Sequence, residues 1–129
     1  MNTYLGSITA APSIMIVEDE DLLRELLTEV FSEMGVTVSA VATADAGLTA
    51  FEQNTGFDLL VTDVRTPGRM NGWELAAAVY SQWPDVPIII TSGYSAEHDN
   101  ELPPSACFVQ KPWSLDSLCN LAKTLLHGS

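Results

Sequence analysis

Ile14-Met15-Ile16-Val17 runs directly into Glu18-Asp19, and the same arrangement returns three times along the chain. Leu59-Leu60-Val61-Thr62 ends in Asp63, Ile88-Ile89-Ile90 in Thr91, and Cys107-Phe108-Val109-Gln110 in Lys111. Short apolar runs without alternation read as strands buried on both faces, the pattern of a parallel sheet. If the strands are parallel, their carboxyl ends share one edge, where open α/β sheets place their ligand crevice. Acids, a hydroxyl and an ammonium would then converge there.

Working outward, the apolar period switches between strand and helix. Residues 13–18, 36–41, 57–62, 87–90 and 106–110 read as strands. Residues 21–34 carry Leu22, Leu23, Leu26, Leu27, Val30, Phe31 and Met34, the stripe of an amphipathic helix that Gly35 ends. Further helices are expected over 44–53, 72–83 and 114–126, with Asn71 and Ser114 as N-caps and Pro84 as a stop. Strands alternating with helices imply βα crossovers and an α/β fold on a parallel sheet, one common order of which is 2-1-3-4-5. Residues 95–105 should hold the fourth helix but are polar and broken by Pro103-Pro104, so that helix is expected to be short or irregular. Residues 1–12 are expected as a flexible leader and 13–129 as one domain. Leu22 and Leu26 are expected at the exposed rim of the first helix, with Leu23, Leu27, Val30 and Met34 turned to the core. Trp73, Trp83 and Trp113 are expected to be partly buried.

Composition narrows the function. A chain of 129 residues is long enough for one core without staples. Its formal net charge of −12 argues against direct contact with nucleic acid or anionic lipid. The two cysteines, Cys107 and Cys119, and two histidines, His98 and His127, show no zinc spacing, so buried thiols in a reducing, cytoplasmic setting are expected. The first twelve residues lack the basic and apolar regions of a signal peptide, and no apolar run approaches the roughly 20 residues of a membrane span.

The acids carry the chemistry. Glu18 and Asp19 follow the first strand and Asp63 the third, neighbours at the switch point of such a sheet. Two carboxylates about 4 Å apart repel by roughly 4 kcal/mol at an effective dielectric near 20, so a cluster calls for a cation or raised pKa values. Magnesium, a hard ion with oxygen ligands, suits the set. An aspartate beside such an ion can accept a phosphoryl group, with Thr91 and Lys111 binding its oxygens. The bland reading leaves Asp19, Glu20 and Asp21 as helix N-terminal acids and Asp63 as a turn former.

Taken together, Val17-Glu18-Asp19-Glu20, Asp63 with Pro67 four residues later, Thr91-Ser92-Gly93-Tyr94 and Phe108-Val109-Gln110-Lys111-Pro112 resemble the receiver domain of bacterial two-component response regulators. The resemblance spans residues 13–126 and implies a flavodoxin-like (βα)5 three-layer sandwich. It implies that Asp63 accepts a phosphoryl group from a phosphohistidine on a sensor histidine kinase or a histidine phosphotransfer protein. Asp19, Asp63 and the backbone carbonyl of Arg65 would hold Mg²⁺, with Glu18 acting through a bound water. Thr91 and Lys111 would take phosphoryl oxygens, and Phe108 stands at the family's aromatic switch position. Such a domain is a signalling phosphoacceptor, not an enzyme acting on external substrates. The chain departs from the family pattern in several places, the weak fourth helix among them. Glu18 replaces the more usual Asp, and residues 67–72 look one residue longer than the commonest receiver loop, as in receivers attached to hybrid histidine kinases.

Three alternatives stand beside this reading. The chain could be a module cut from a hybrid histidine kinase or a larger regulator, although Met1 and the short leader favour a free-standing protein. A Mg²⁺-dependent phosphohydrolase similar to haloacid-dehalogenase-like enzymes would want an acid two residues after its nucleophile, where Arg65 stands. A flavodoxin-like nucleotide binder would want a Gly- and Thr-rich loop after the first strand, where Glu18-Asp19-Glu20 stands.

Overall fold

A computed structural model describes residues 11–54, 56–92, 102–110 and 113–127. Five strands, β1 (Ser13–Val17), β2 (Thr37–Val41), β3 (Leu59–Asp63), β4 (Ile88–Ser92) and β5 (Ala106–Gln110), form one parallel sheet of order β2-β1-β3-β4-β5. Four helices are described: α1 (Asp21–Ser32), α2 (Ala44–Gln53), α3 (Gly72–Gln82) and α4 (Leu115–Leu126). The layering is that anticipated from the alternating periods, and the sheet order is the one that the flavodoxin-like resemblance implied. The leader up to residue 10, residues 95–101 of the stretch 95–105 expected to carry the fourth helix, and Lys111 lie outside the described residues, while residues 102–105 are not helical.

Strand alternation divides the core in two. Met15, Val17, Leu60, Ile88 and Ile90 face α2 and α3, where they meet Phe51, Leu75, Ala76 and Val79. Ile14, Ile16, Leu59, Val61 and Ile89 face the opposite layer and meet Leu27 and Phe31 of α1 and Leu118 and Ala122 of α4. β3 and β4 are buried at every residue because both faces carry helices, whereas the edge strands β2 and β5 are only half-buried.

Leu22 and Leu26 remain 80% and 41% exposed on α1, as its stripe implied. Leu27 is buried, Leu23 and Met34 pack half-buried against the core, and Val30 is half-buried. Trp73 is buried while Trp83 and Trp113 pack half-buried against the two core clusters. Cys107 and Cys119 are free and half-buried, not buried as expected, because β5 is an edge strand and Cys119 sits at the flank of α4. Burial still pushes the Cys119 thiol above its ordinary value.

Two strands extend further than their apolar runs. β3 includes Asp63 and β4 includes Thr91 and Ser92, because the ladder continues past the last aliphatic residue: Asp63 pairs with Thr91, and the Val64 amide donates to the Thr91 carbonyl at 2.9 Å. The polar residues are therefore the last rungs of the sheet, with strand-fixed backbones.

Candidate phosphoacceptor site

Two chain segments bring three acids to the carboxyl edge of β1 and β3. Glu18, Asp19 and Asp63 each offer a carboxylate oxygen, and the three atoms lie within 4.8 Å of one another. Glu18 is 3% exposed and Asp63 9% exposed, while Asp19 opens to solvent. At such separations two ionised groups repel by about 3 kcal/mol at an effective dielectric near 20. The donor set consists of carboxylate oxygens alone, with one exposed member as an entry side, and so fits a hard divalent cation.

Glu18 is held through both its backbone and its carboxylate. The Glu18 amide donates to the Val41 carbonyl at 3.0 Å, and one Glu18 carboxylate oxygen accepts from the Glu20 amide at 3.0 Å. Arg24, one turn into α1, donates from Nη1 to the Glu18 carbonyl at 2.9 Å and pairs through Nη2 with Asp21 at 2.7 Å. The exposed pair with Asp21 contributes little by itself. Its use is to orient the guanidinium that fixes the β1–α1 turn. The sequence reading passed over Arg24, although it is one of only five Lys and Arg residues and stands six residues after Glu18.

Asp63 is fixed from three sides. The Thr62 hydroxyl donates to the Asp63 carbonyl at 3.0 Å within the buried strand end. Across the ladder stands Thr91, itself 4% exposed. α3 closes in from the third side, its Gly72 amide donating to the Val64 carbonyl at 2.8 Å. A Cβ at Gly72 would overlap the Asp63 carbonyl oxygen and stand 2.9 Å from Val64 Cα, so only glycine admits this approach.

The family model for the response regulator receiver domain matches residues 14–123. The chain belongs to this family.

As a receiver it is 31% identical over 124 residues to the sensor kinase CckA of Brucella abortus (strain 2308), covering 93% of this chain and 13% of that protein. The first curated relatives are longer, and the receiver spans at most 25% of their length. A crystal structure of a response regulator receiver protein from Sinorhizobium medicae is similar with a TM-score of 0.84 at 25% identity, covering 95% of this chain and 98% of that one. The response regulator TrrA of Thermotoga maritima, in complex with Mg²⁺-BeF, is similar with a TM-score of 0.79 at 29% identity, covering 88% of this chain and 98% of that one.

Within the receiver, the other expected site residues fall as follows. Arg65 is exposed in the loop two residues beyond Asp63. By alternation Thr91 shares the sheet face of Ile89, and Phe108 the opposite face of Ile90, its register partner. Phe108 stacks on Trp73 of α3, with ring centroids 5.7 Å apart and planes 4° from parallel. That contact joins the expected switch position to the helix that follows the Asp63 loop, and nothing in the local sequence pattern announced it.

Proposed function

We propose that Asp63 is the phosphoacceptor of this receiver and that Mg²⁺ assists its reaction. A carboxylate oxygen of Asp63 attacks the phosphorus of a phosphohistidine, the P–N bond breaks, and the imidazole leaves with a proton while an acyl phosphate forms. The observation that carries this reading is the meeting of Glu18, Asp19 and Asp63 within 4.8 Å around a buried strand end. Asp19, Asp63 and the Arg65 carbonyl would hold the ion, with Glu18 acting through a water. When bound, the ion supplies charge neutralisation at the phosphoryl oxygens. Thr91 and Lys111 bind those oxygens.

Phosphorylation adds nearly two negative charges to an acidic crevice and favours the state in which Thr91 and Lys111 reach them. Phe108 is the switch residue that registers this movement. Its stack on Trp73 supports that role, because turning Phe108 must break a contact with α3. The donor is a sensor histidine kinase or histidine phosphotransfer protein, docking on the exposed Leu22 and Leu26 of α1. A cytoplasmic location suits this chemistry, since the phosphohistidine donor is made there from ATP. The output is a protein contact. The same receiver chemistry serves a free-standing regulator or a hybrid-kinase module, and the likeness to a sensor kinase supports the second arrangement.

Incubating the chain with acetyl phosphate and Mg²⁺, followed by intact-mass measurement, tests the acceptor. Wild type should gain one phosphate-sized increment and Asp63→Asn none. An equal gain in the variant would move the acceptor elsewhere.

A further inference from the structure

Asp45 occupies the first turn of α2, where an acid ordinarily only complements the positive helix end. Its carboxylate instead crosses to the loop that follows Asp63. Oδ2 accepts from the Arg69 amide at 3.0 Å and from the Met70 amide at 3.4 Å. Gly68 has φ +110°, the left-handed region that glycine adopts freely, and a Cβ there would overlap Asp45 Oδ2. The loop thus adopts a backbone shape and a side-chain-free position that together admit this one oxygen.

A second tie runs alongside. The Thr66 hydroxyl donates to the Met70 carbonyl at 3.1 Å and accepts from the Ala44 amide, the first of α2, at 3.4 Å. Loop amides are taken by a helix carboxylate, and a helix amide by a loop hydroxyl. Thr43 Oγ1 meanwhile accepts from the Ala46 amide, capping α2 independently of the loop. With Gly72 pinned to Val64 at the far end, residues 64–71 are held at both ends and in the middle. The two amides that Asp45 holds lie within residues 67–72, the stretch noted for its added length.

We propose that Asp45 is a positioning residue for the phosphoacceptor loop, setting the backbone on which Arg65 stands and so the loop's fitness for cation binding and phosphoryl transfer. This rests on the reading of Asp63 as phosphoacceptor. The working element is the acceptor oxygen, because two amides converge on a single atom, and the negative charge is incidental. Asp45→Asn, which keeps an oxygen there, should therefore behave like wild type, and Asp45→Ala should not.

The test uses the full chain and four variants: Asp45→Asn, Asp45→Ala, Gly68→Ala, which attacks the same contact from the loop side, and Thr43→Ala, which removes the cap of α2 alone. In metal-free protein, amide exchange at Arg69 and Met70 should quicken in Asp45→Ala and Gly68→Ala only. Mg²⁺ binding, followed by tryptophan fluorescence, should weaken about tenfold in those two, the scale of loss when groups that orient metal ligands are removed. Labelling by phosphoramidate at saturating Mg²⁺ should slow in parallel, with Asp45→Asn within about twofold of wild type on the same scale. Thr43→Ala should lower Tm and leave exchange, binding and labelling unchanged. Wild-type labelling at Asp63 with normal Mg²⁺ affinity in Asp45→Ala and Gly68→Ala overturns the inference alone. A wild-type chain that takes no phosphate overturns the phosphoacceptor reading and this inference with it.

Discussion

The candidate phosphoacceptor Asp63 sits among like charges. It shares a small volume with Glu18 and Asp19, and each carboxylate raises the free energy of the others when no cation is present. Asp63→Asn keeps the shape of the side chain and removes one charge. The metal-free Tm of that variant should therefore rise, by about 3–5 °C for each kcal/mol of repulsion relieved in a domain of this size. Calorimetry in EDTA checks it, and a lower Tm would show that the three acids do not repel as their spacing implies. Gly72 is constrained differently. No charge is involved there, only the absence of a Cβ where α3 meets the Asp63 carbonyl.

α3 owes its start to a capping box as well as to Gly72. The Asn71 side chain accepts from the Glu74 amide at 2.9 Å, and the Asn71 amide donates to the Glu74 carboxylate at 2.8 Å. Asn71→Ala should cost about 1 kcal/mol. Because the box sits where the Asp63 loop joins the helix, the same variant should also speed amide exchange through the first turn of α3. Thermal unfolding with residue-resolved exchange measures both, and a loss of stability with unaltered exchange in that turn would contradict the coupling. α1 and α4 start differently: Ser114 caps α4 through the Ser117 amide at 3.0 Å, whereas Glu20 before α1 makes no side-chain cap. At α1 the Glu18 carboxylate bonds the Glu20 amide instead, tying the helix entry to the acidic site.

For the molecule as a whole, cation binding and folding are linked, because the three acids assemble only when β1 and β3 pair. Mg²⁺ at about a hundred times its dissociation constant should add roughly 2.7 kcal/mol of stability, and EDTA should abolish the gain. Asp19→Asn should shift that titration to higher Mg²⁺, and a Tm indifferent to Mg²⁺ would count against the site. Much of this architecture was legible in the chain, since element type depends on local period: aliphatic runs against a stripe of leucines, with Asn71 and Ser114 marking helix starts. The site was legible to the extent that it lies at strand ends, which a parallel sheet must gather along one edge. Other features were decided only in three dimensions. The inclusion of Asp63 and Thr91 in the ladder, the stacking of Phe108 on Trp73, and the reach of Asp45 across 24 residues to Arg69 depend on partners remote in sequence. Such contacts leave no periodic trace, because neither side chain nor spacing differs from that of an ordinary strand end, core aromatic or helix-start acid until the sheet has brought the partners together.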